Sequence, residues 1–381
     1  MKVLHIYRTY YPDPPGGVQE AIRQIASGVQ TFGVDSRVFT LSPQPEPRTN
    51  ERPEGTVVRA RSYWAPASCD LGGLSSLQLY RENVDWADLI HYHYPWPFAD
   101  VLNLLSPTRK PKIMTYHSDI IKQKVLGKFY YPLMRLTLSQ MDAVVATSPT
   151  YRKTSRVLNQ FVKHERMHVV PLCMEDVLPD WVQTPKTDIL ERLNLTQRPY
   201  VLALGVLRHY KGLHTLVQAA QSIRGTVVIA GSGPEDANLR QQVKTLGLSN
   251  VVFAGQVSHA EKHQLLSQSI AFALPSHMRS EAFGMVLLEA AMHGRPMVCC
   301  EIGTGTSWIN QHGSTGWVVP PEDSPALAQA INRLIDNPSE AEAMGRNART
   351  RYETQFASHV MAQGYNTIYQ QVFAQTPATK H

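Results

Sequence analysis

The sequence predicts an α/β protein made of two doubly wound, Rossmann-like halves. Short apolar strand candidates alternate with helical stretches along the chain, as a parallel sheet with helical crossovers requires. The alternation runs twice, on either side of Met174–Pro199, a stretch with Pro179, Pro185 and Pro199 and little periodicity that reads as a linker. With 381 residues, there is also room for two domains that each bury a core.

In the first half the strand candidates are Val3–Tyr7, Ser36–Leu41, Leu89–Tyr92, Lys112–Tyr116, Ala143–Thr147 and His168–Val170, with helical stretches such as Gln19–Phe32 between them. The Pro-rich stretch Pro43–Pro53 reads as a loop inside this half. The second half repeats the scheme with Tyr200–Gly205, Thr226–Ala230, Val251–Ala254, Ile270–Leu274, Met297–Cys300 and Gly316–Val319. In Phe356–Phe373, Val360, Met361, Tyr365, Ile368, Tyr369 and Val372 recur at helical spacing. The expected division is 1–178, 179–355 and a terminal helical segment 356–381. Ligands of open α/β sheets bind beyond the carboxyl ends of the strands, so two such halves facing each other would form a cleft there.

Bulk properties narrow the class. No apolar run reaches the roughly 18 residues that span a bilayer, and the apolar run at Val3–Tyr7 is too short for a signal peptide. Cys69, Cys173, Cys299 and Cys300 have neither metal-ligand spacing nor a disulfide framework, which predicts a reducing, cytoplasmic setting. The net charge of +6 suits an anionic partner, whether nucleic acid, lipid headgroup or diphosphate.

The most telling segment is Ser280–Glu289. Glu281 sits in a strand-to-helix loop, Phe283, Gly284 and Met285 at a helix start, and Glu289 about two turns along. Unpaired N–H groups and the macrodipole make a helix start a phosphate site. A carboxylate on either side accepts from sugar hydroxyls, and phosphate between two polyols describes a nucleotide sugar. Arg208 and Lys211 follow Tyr200–Gly205, where fixed cations would offset the charge that grows on a departing diphosphate. Tyr10-Tyr11-Pro12 and then Gly16-Gly17-Val18 make a glycine loop after the first strand, with a helix opening at Gln19. His91-Tyr92-His93 closes the third strand and His117-Ser118-Asp119 follows the fourth, without the further ligands zinc needs. No Asp-x-Asp occurs, so a donor held through Mg²⁺ is not expected. The expectation is no metal and no cofactor. Asp119 is open to two readings, orienting His117 or meeting an acceptor.

Together these motifs, with Thr115-Tyr116-His117-Ser118-Asp119, Tyr210-Lys211-Gly212 and Gly303-Thr304-Gly305-Thr306-Ser307, resemble the retaining GT-B glycosyltransferases of family 4. The local motifs are similar to O-antigen mannosyl- and rhamnosyltransferases of lipopolysaccharide assembly. The resemblance runs from the first strand to about Phe356. It implies two Rossmann-like domains around a cleft, with the last helix crossing back onto the N-terminal domain. It also implies that His117 and Glu281 meet the transferred sugar and that Glu289 holds the ribose hydroxyls. Gly17, Gly205, Gly231, Gly233, Val257, Phe283, Gly284 and Met285 would line the donor site, with Gly16, His93 and Asp119 on the acceptor side. One departure from the common pattern is Val206 directly after Gly205, with the basic residue two places later at Arg208.

The expected activity is retaining, metal-independent transfer of a hexose from a nucleoside diphosphate sugar, GDP-mannose or GDP-rhamnose on local resemblance. The acceptor would be a polyprenyl-diphosphate-linked or oligosaccharide hydroxyl, with no nucleic acid partner. A sugar-nucleotide epimerase and a non-catalytic nucleotide-sugar binding protein are the alternatives. In Asp119–Gln140, Lys122, Lys124 and Lys128 lie among Ile120, Val125, Leu126 and Phe129 on partly distinct helical faces, with Pro132 placed to interrupt the helix. That pattern suits peripheral contact with an anionic surface at the inner face of the cytoplasmic membrane.

Overall fold

A computed structural model describes the chain apart from residues 14–15, 67–68, 120–123, 182, 184–185, 197 and 376–381, and apart from the side chains of 124–129. Its contacts group into two units, Met1–Cys173 with the helix Ser358–Gln375, and Met174–Ala357. The chain changes unit between Cys173 and Met174 and again between Ala357 and Ser358, close to the expected 178/179 and 355/356. Met174 N–H donates to Phe356 O (3.0 Å), which ties the start of the second unit to its end.

The N-terminal unit holds β1 (Lys2–Ile6), β2 (Asp35–Ser42), β3 (Thr49–Arg52), β4 (Gly55–Arg61), β5 (Leu89–Tyr94), β6 (Lys112–Tyr116), β7 (Ala143–Ala146) and β8 (Met167–Val169). Their order is β3-β4-β2-β1-β5-β6-β7-β8, parallel except where β3 pairs with β4. β3 and β4 correct the sequence reading: Pro43–Pro53 is not all loop, and Gly55–Arg61 is a strand. Local pattern hides β4 because its Arg59 is buried, its Nη2 paired with Asp13 (3.3 Å), Ser42 Oγ and Gln44 O.

The C-terminal unit holds β9 (Tyr200–Leu204), β10 (Thr226–Ala230), β11 (Val251–Gly255), β12 (Ala271–Leu274), β13 (Met297–Cys300) and β14 (Gly316–Val319), all parallel, in the order β11-β10-β9-β12-β13-β14. Val201, Val227, Ile229, Ala271 and Val298 pack with Leu216, Val217 and Ile331 from the covering helices into one apolar core. Both faces of such a sheet are covered, which is why its strands are short apolar runs. The linker Met174–Pro199 belongs to this unit and contains two short helices, Leu178–Trp181 and Ile189–Arg192.

The helix Ser358–Gln375 buries Met361, Ala362, Tyr365, Ile368, Tyr369 and Val372 in the N-terminal unit. It lies so close to helix Gly17–Gln30 that a Cβ at Gly28 would fall 2.8 Å from the Cβ of Ala362. Gly28→Leu is therefore expected to destabilise the N-terminal unit by about 1–3 kcal/mol through overpacking. Denaturant unfolding should show an earlier transition, and an unchanged midpoint would mean the two helices separate at no cost. The helix Lys124–Ser139 runs through Pro132 without a break, contrary to the expected interruption. Among the described residues no helix is long and apolar enough to cross a membrane.

Candidate functional site

In the C-terminal sheet the strand order reverses between β9 and β12, with β10 and β11 to one side and β13 and β14 to the other. Ligands of open α/β sheets bind beyond the carboxyl ends at such a switch. The two loops that leave there carry the charged candidates. After β9 come Gly205, an exposed Arg208 and the 3₁₀ turn His209–Lys211; after β12 come Ser276 and Glu281. Gly212 has φ +68°, and a Cβ on it would lie 1.9 Å from Pro275 O, so these loops touch backbone to backbone. That contact brings Lys211 Nζ into an ion pair with Glu281 Oε2, to which Ser276 Oγ also donates (3.1 Å). The two charged side chains are only 12% and 10% exposed. Burial works against the charge on Lys211, but the facing Glu281 carboxylate outweighs it and holds the lysine pKa above its ordinary value. Lys211 is thus already matched by a carboxylate.

The helix that follows spans Met285–Met292 and opens on Gly284, at φ +94°. Phe283 stays in the loop, so Glu289 lies just over one turn into the helix rather than two. Glu289 Oε1 accepts from Lys262 Nζ at 2.6 Å, leaving lone pairs of the carboxylate for hydroxyl groups. Phe283 is buried, and Gly305 lies so near that a Cβ there would come 2.8 Å from its ring. Glycines also join the neighbouring turns. A Cβ on Gly231 would lie 2.0 Å from Gly205 O, and one on Gly233 2.5 Å from Leu207 O. Val257 is half-buried just ahead of helix His259–Gln268, whose first turn Ser258 caps by accepting from Glu261 N–H at 3.2 Å. A larger hollow of about 730 Å³ is lined by Ile270 and Pro296, at the opposite, amino ends of β12 and β13.

In the N-terminal unit the switch falls between β1 and β5. After β1 the chain reaches Gly16, whose N–H donates to Gln19 Oε1 (3.1 Å), and Gly17 opens the helix, where a Cβ would meet nothing within 4 Å among the described residues. Strand alternation and register put His5, His91, His93, Thr115 and His117 on one sheet face, all buried. The rings form a chain in which His5 Nδ1 meets His93 Nε2 (3.1 Å) and His93 Nδ1 meets His117 Nε2 (3.0 Å). His91 lies beside it, bonded through Nδ1 to Tyr369 Oη (2.9 Å) and through Nε2 to Thr115 Oγ1 (2.7 Å), which also meets Tyr365 Oη (2.8 Å). Two expectations change here. Both ring nitrogens of His93 are occupied, so it has none for an acceptor. Asp119 Oδ1 accepts from Tyr116 Oη and Ser155 Oγ (both 3.0 Å), while His117 Nε2 meets His93 and His117 Nδ1 has no partner among the described residues, so Asp119 does not orient His117.

A sequence comparison decides the family. The chain is 44% identical over 359 residues to D-rhamnosyltransferase WbpZ of Pseudomonas aeruginosa, covering 94% of this chain and 93% of that one. The Glycosyltransferase Family 4 profile matches residues 15–175, and the Glycosyl transferases group 1 profile matches 185–351. The chain belongs to glycosyltransferase family 4. A second relative, O-antigen chain mannosyltransferase C of Escherichia coli, is 39% identical over 369 residues, covering 97% of this chain and 98% of that one. Among solved structures, sucrose-phosphate synthase from Thermosynechococcus elongatus superimposes with a TM-score of 0.78 at 24% identity, over 98% of this chain and 99% of that one. Anabaena Alr3699/HepE, solved with UDP-glucose, gives 0.77 at 20% identity over 97% and 100%. These likenesses show the GT-B class of fold.

As a family 4 glycosyltransferase the protein moves a sugar to an acceptor. Its donor-side candidates Gly205, Arg208, Lys211, Gly231, Gly233, Val257, Glu281, Phe283, Gly284, Met285 and Glu289 all leave the carboxyl ends of one sheet or lie on the helix beyond β12. Sequence reasoning missed Lys262 and Ser276, the partners of Glu289 and Glu281, and His5. A basic residue 27 positions before Glu289 and a serine five before Glu281 give no local signal. Of the basic residues expected at a membrane, Lys122 lies outside the described residues, and so do the side chains of Lys124 and Lys128.

Proposed function

We propose that the protein transfers a mannosyl or 6-deoxymannosyl (rhamnosyl) group, with retention, from a GDP-sugar to a polyprenyl-diphosphate-linked or oligosaccharide acceptor in O-antigen synthesis. One observation carries the reading: Glu281 and Glu289 bracket a helix start at the sheet's switch point, with Lys211 beside the first. The rhamnosyl- and mannosyltransferase relatives favour those sugars. In the reaction the bond between the anomeric carbon and the diphosphate oxygen breaks, and the acceptor oxygen bonds to that carbon from the same face. The acceptor's proton passes to the departing phosphate oxygen. Lys211 and Arg208 offset the charge that grows on the diphosphate, Glu281 accepts from the sugar's hydroxyls, and Glu289 from the ribose.

The test is incubation of purified protein with GDP-mannose, GDP-rhamnose and UDP-sugars, with and without a lipid-diphosphate acceptor. Acceptor-dependent release of GDP and an α-linked product are expected. Epimerised donor in the absence of acceptor would overturn the reading. Turnover should also survive EDTA, because the sequence lacks the Asp-x-Asp pair that commonly holds a catalytic divalent cation. Loss on chelation that Mg²⁺ or Mn²⁺ restores would reject metal independence.

Peripheral membrane contact is part of the same proposal. Helix Lys124–Ser139 exposes Tyr131, Leu136 and Arg135, an apolar and basic surface suited to anionic headgroups. The protein should sediment with anionic but not neutral liposomes, and salt should release it, because exposed charges are screened within about 8 Å at physiological ionic strength. Changing Lys122, Lys124 and Lys128 to glutamine should weaken vesicle binding and spare nucleotide binding. Equal sedimentation of parent and triple variant would remove those lysines from the contact.

A further inference from the structure

Buried faces of parallel sheets are ordinarily aliphatic, because a buried polar atom without a partner is costly. The five polar side chains on the face of β1, β5 and β6 obey that rule at every ring nitrogen except two. Among the described residues, His5 Nε2 and His117 Nδ1 are buried with no hydrogen-bond partner. They are the two ends of the His5–His93–His117 chain.

We propose that these three histidines act as one tautomeric unit that fixes the ring proton of His117 on Nδ1, so that His117 offers substrate a hydrogen-bond donor. His5 and His93 are then positioning residues. Burial pushes the pKa of His5 and of His117 down to about 3 and that of His93 well below its ordinary value, so all three rings are neutral at physiological pH. A neutral imidazole has one N–H and one lone pair. With both inter-ring bonds made, only two proton arrangements exist. Either every proton points along the chain toward His117, or every proton points toward His5. The first leaves a bare lone pair at His5 Nε2 and an N–H at His117 Nδ1; the second leaves an N–H at His5 Nε2.

The surroundings of the two ends choose between them. His5 is 0% exposed, whereas His117 is 5% exposed and follows the carboxyl end of β6, where ligands of such sheets arrive. An orphan at His5 therefore stays an orphan in every state, and buried orphan N–H groups are rarer than unsatisfied acceptors. An N–H at His117 can be satisfied by a substrate oxygen. His5 Nδ1–H thus donates to His93 Nε2, and His93 Nδ1–H to His117 Nε2. That the oxygen belongs to the transferred sugar rests on the proposed glycosyl transfer and on the place beside that sugar which the family resemblance implies for His117; the proton order does not. His5, His91 and His93 also bring three ring nitrogens within 4.8 Å of one another, as metal ligands would. Both nitrogens of His91 are engaged by Tyr369 and Thr115, so hydrogen bonds already account for that cluster.

The test is long-range ¹H–¹⁵N NMR on histidine-labelled full-length protein, with metal content measured on the same sample. In the unaltered protein His117 is expected as the Nδ1–H tautomer from pH 8 down to 5. An Nε2–H tautomer, or one equivalent of bound zinc, would overturn the proposal without any variant having to fold. His5→Phe removes the first donor and should leave His117 as a mixture of tautomers. Turnover should then fall on the order of tenfold with KM nearly unchanged. His5→Asn keeps a donor near the position of Nδ1 and should restore both. A His117 that stays purely Nδ1–H in His5→Phe would overturn the coupling. Mixed tautomers with full turnover would support the coupling and reject the role of His117 toward the sugar.

Discussion

Lys211→Ala is expected to lower turnover on the order of 10²–10³, the usual effect of removing one donor to a developing oxyanion. The sequence alone suggests that this loss would far exceed any change in stability. The ion pair with Glu281 says otherwise. Both side chains are about one-tenth exposed, and removing one partner of such a pair leaves the other charge buried and unmatched, a cost of about 3–5 kcal/mol. Lys211→Ala should therefore also unfold at lower denaturant. Lys211→Ala/Glu281→Ala should recover most of that stability, because no lone charge remains, while turnover stays lost. Steady-state kinetics and denaturant unfolding on the three variants separate the two effects. Wild-type turnover in folded Lys211→Ala would return the lysine to a purely structural role. Strictly additive stability losses would show that the pair does not couple.

The second large effect is expected at Gly231. Gly205 and Gly231 have nearly the same backbone, φ +136° and +129°, in a region L side chains rarely adopt. A Cβ at Gly205 meets nothing within 4 Å, whereas one at Gly231 would sit 2.0 Å from the Gly205 carbonyl. Gly205→Ala should cost about 1–3 kcal/mol of backbone strain. Gly231→Ala adds a clash that cannot be relieved without parting the loops after β9 and β10, a further cost of about 1–3 kcal/mol. Since those loops carry residues of the proposed donor site, nucleoside diphosphate affinity should collapse in Gly231→Ala and only weaken in Gly205→Ala. Calorimetric titration with GDP on both variants checks this, and equal affinities would show that the close approach has no bearing on the donor.

The repeated alternation of strands and helices was legible because covered parallel strands are short apolar runs, and twelve of them could be picked out by eye. β4 escaped because its buried Arg59 is paired with Asp13, a partner 46 residues earlier that no local window contains. The same holds in the site. Glu281, Glu289, Lys211 and the glycines were visible through residue type beside a strand end or a helix start. What each one touches was not. Lys262 reaches Glu289 from another helix, and His5 meets His93 only because β1 lies against β5. Of the two readings of Asp119, the one in which it orients His117 failed for that reason: Ser155 reaches it from a different element, and the ring of His117 turns to His93.

The N-terminal unit is completed by Ser358–Gln375, after the whole of the other unit has been strung between its parts. During synthesis the segment Met174–Ala357 has everything it needs to finish folding while the first 173 residues still wait. At ~5–20 residues per second, that wait lasts roughly 10–40 s. Throughout it His91 and Thr115 lack Tyr369 and Tyr365, and the face they share is open to water and to other nascent chains. The order of birth is thus inverted relative to the order of completion, so a chain stalled or cut shortly before Ser358 would yield one finished unit tethered to an unfinished one.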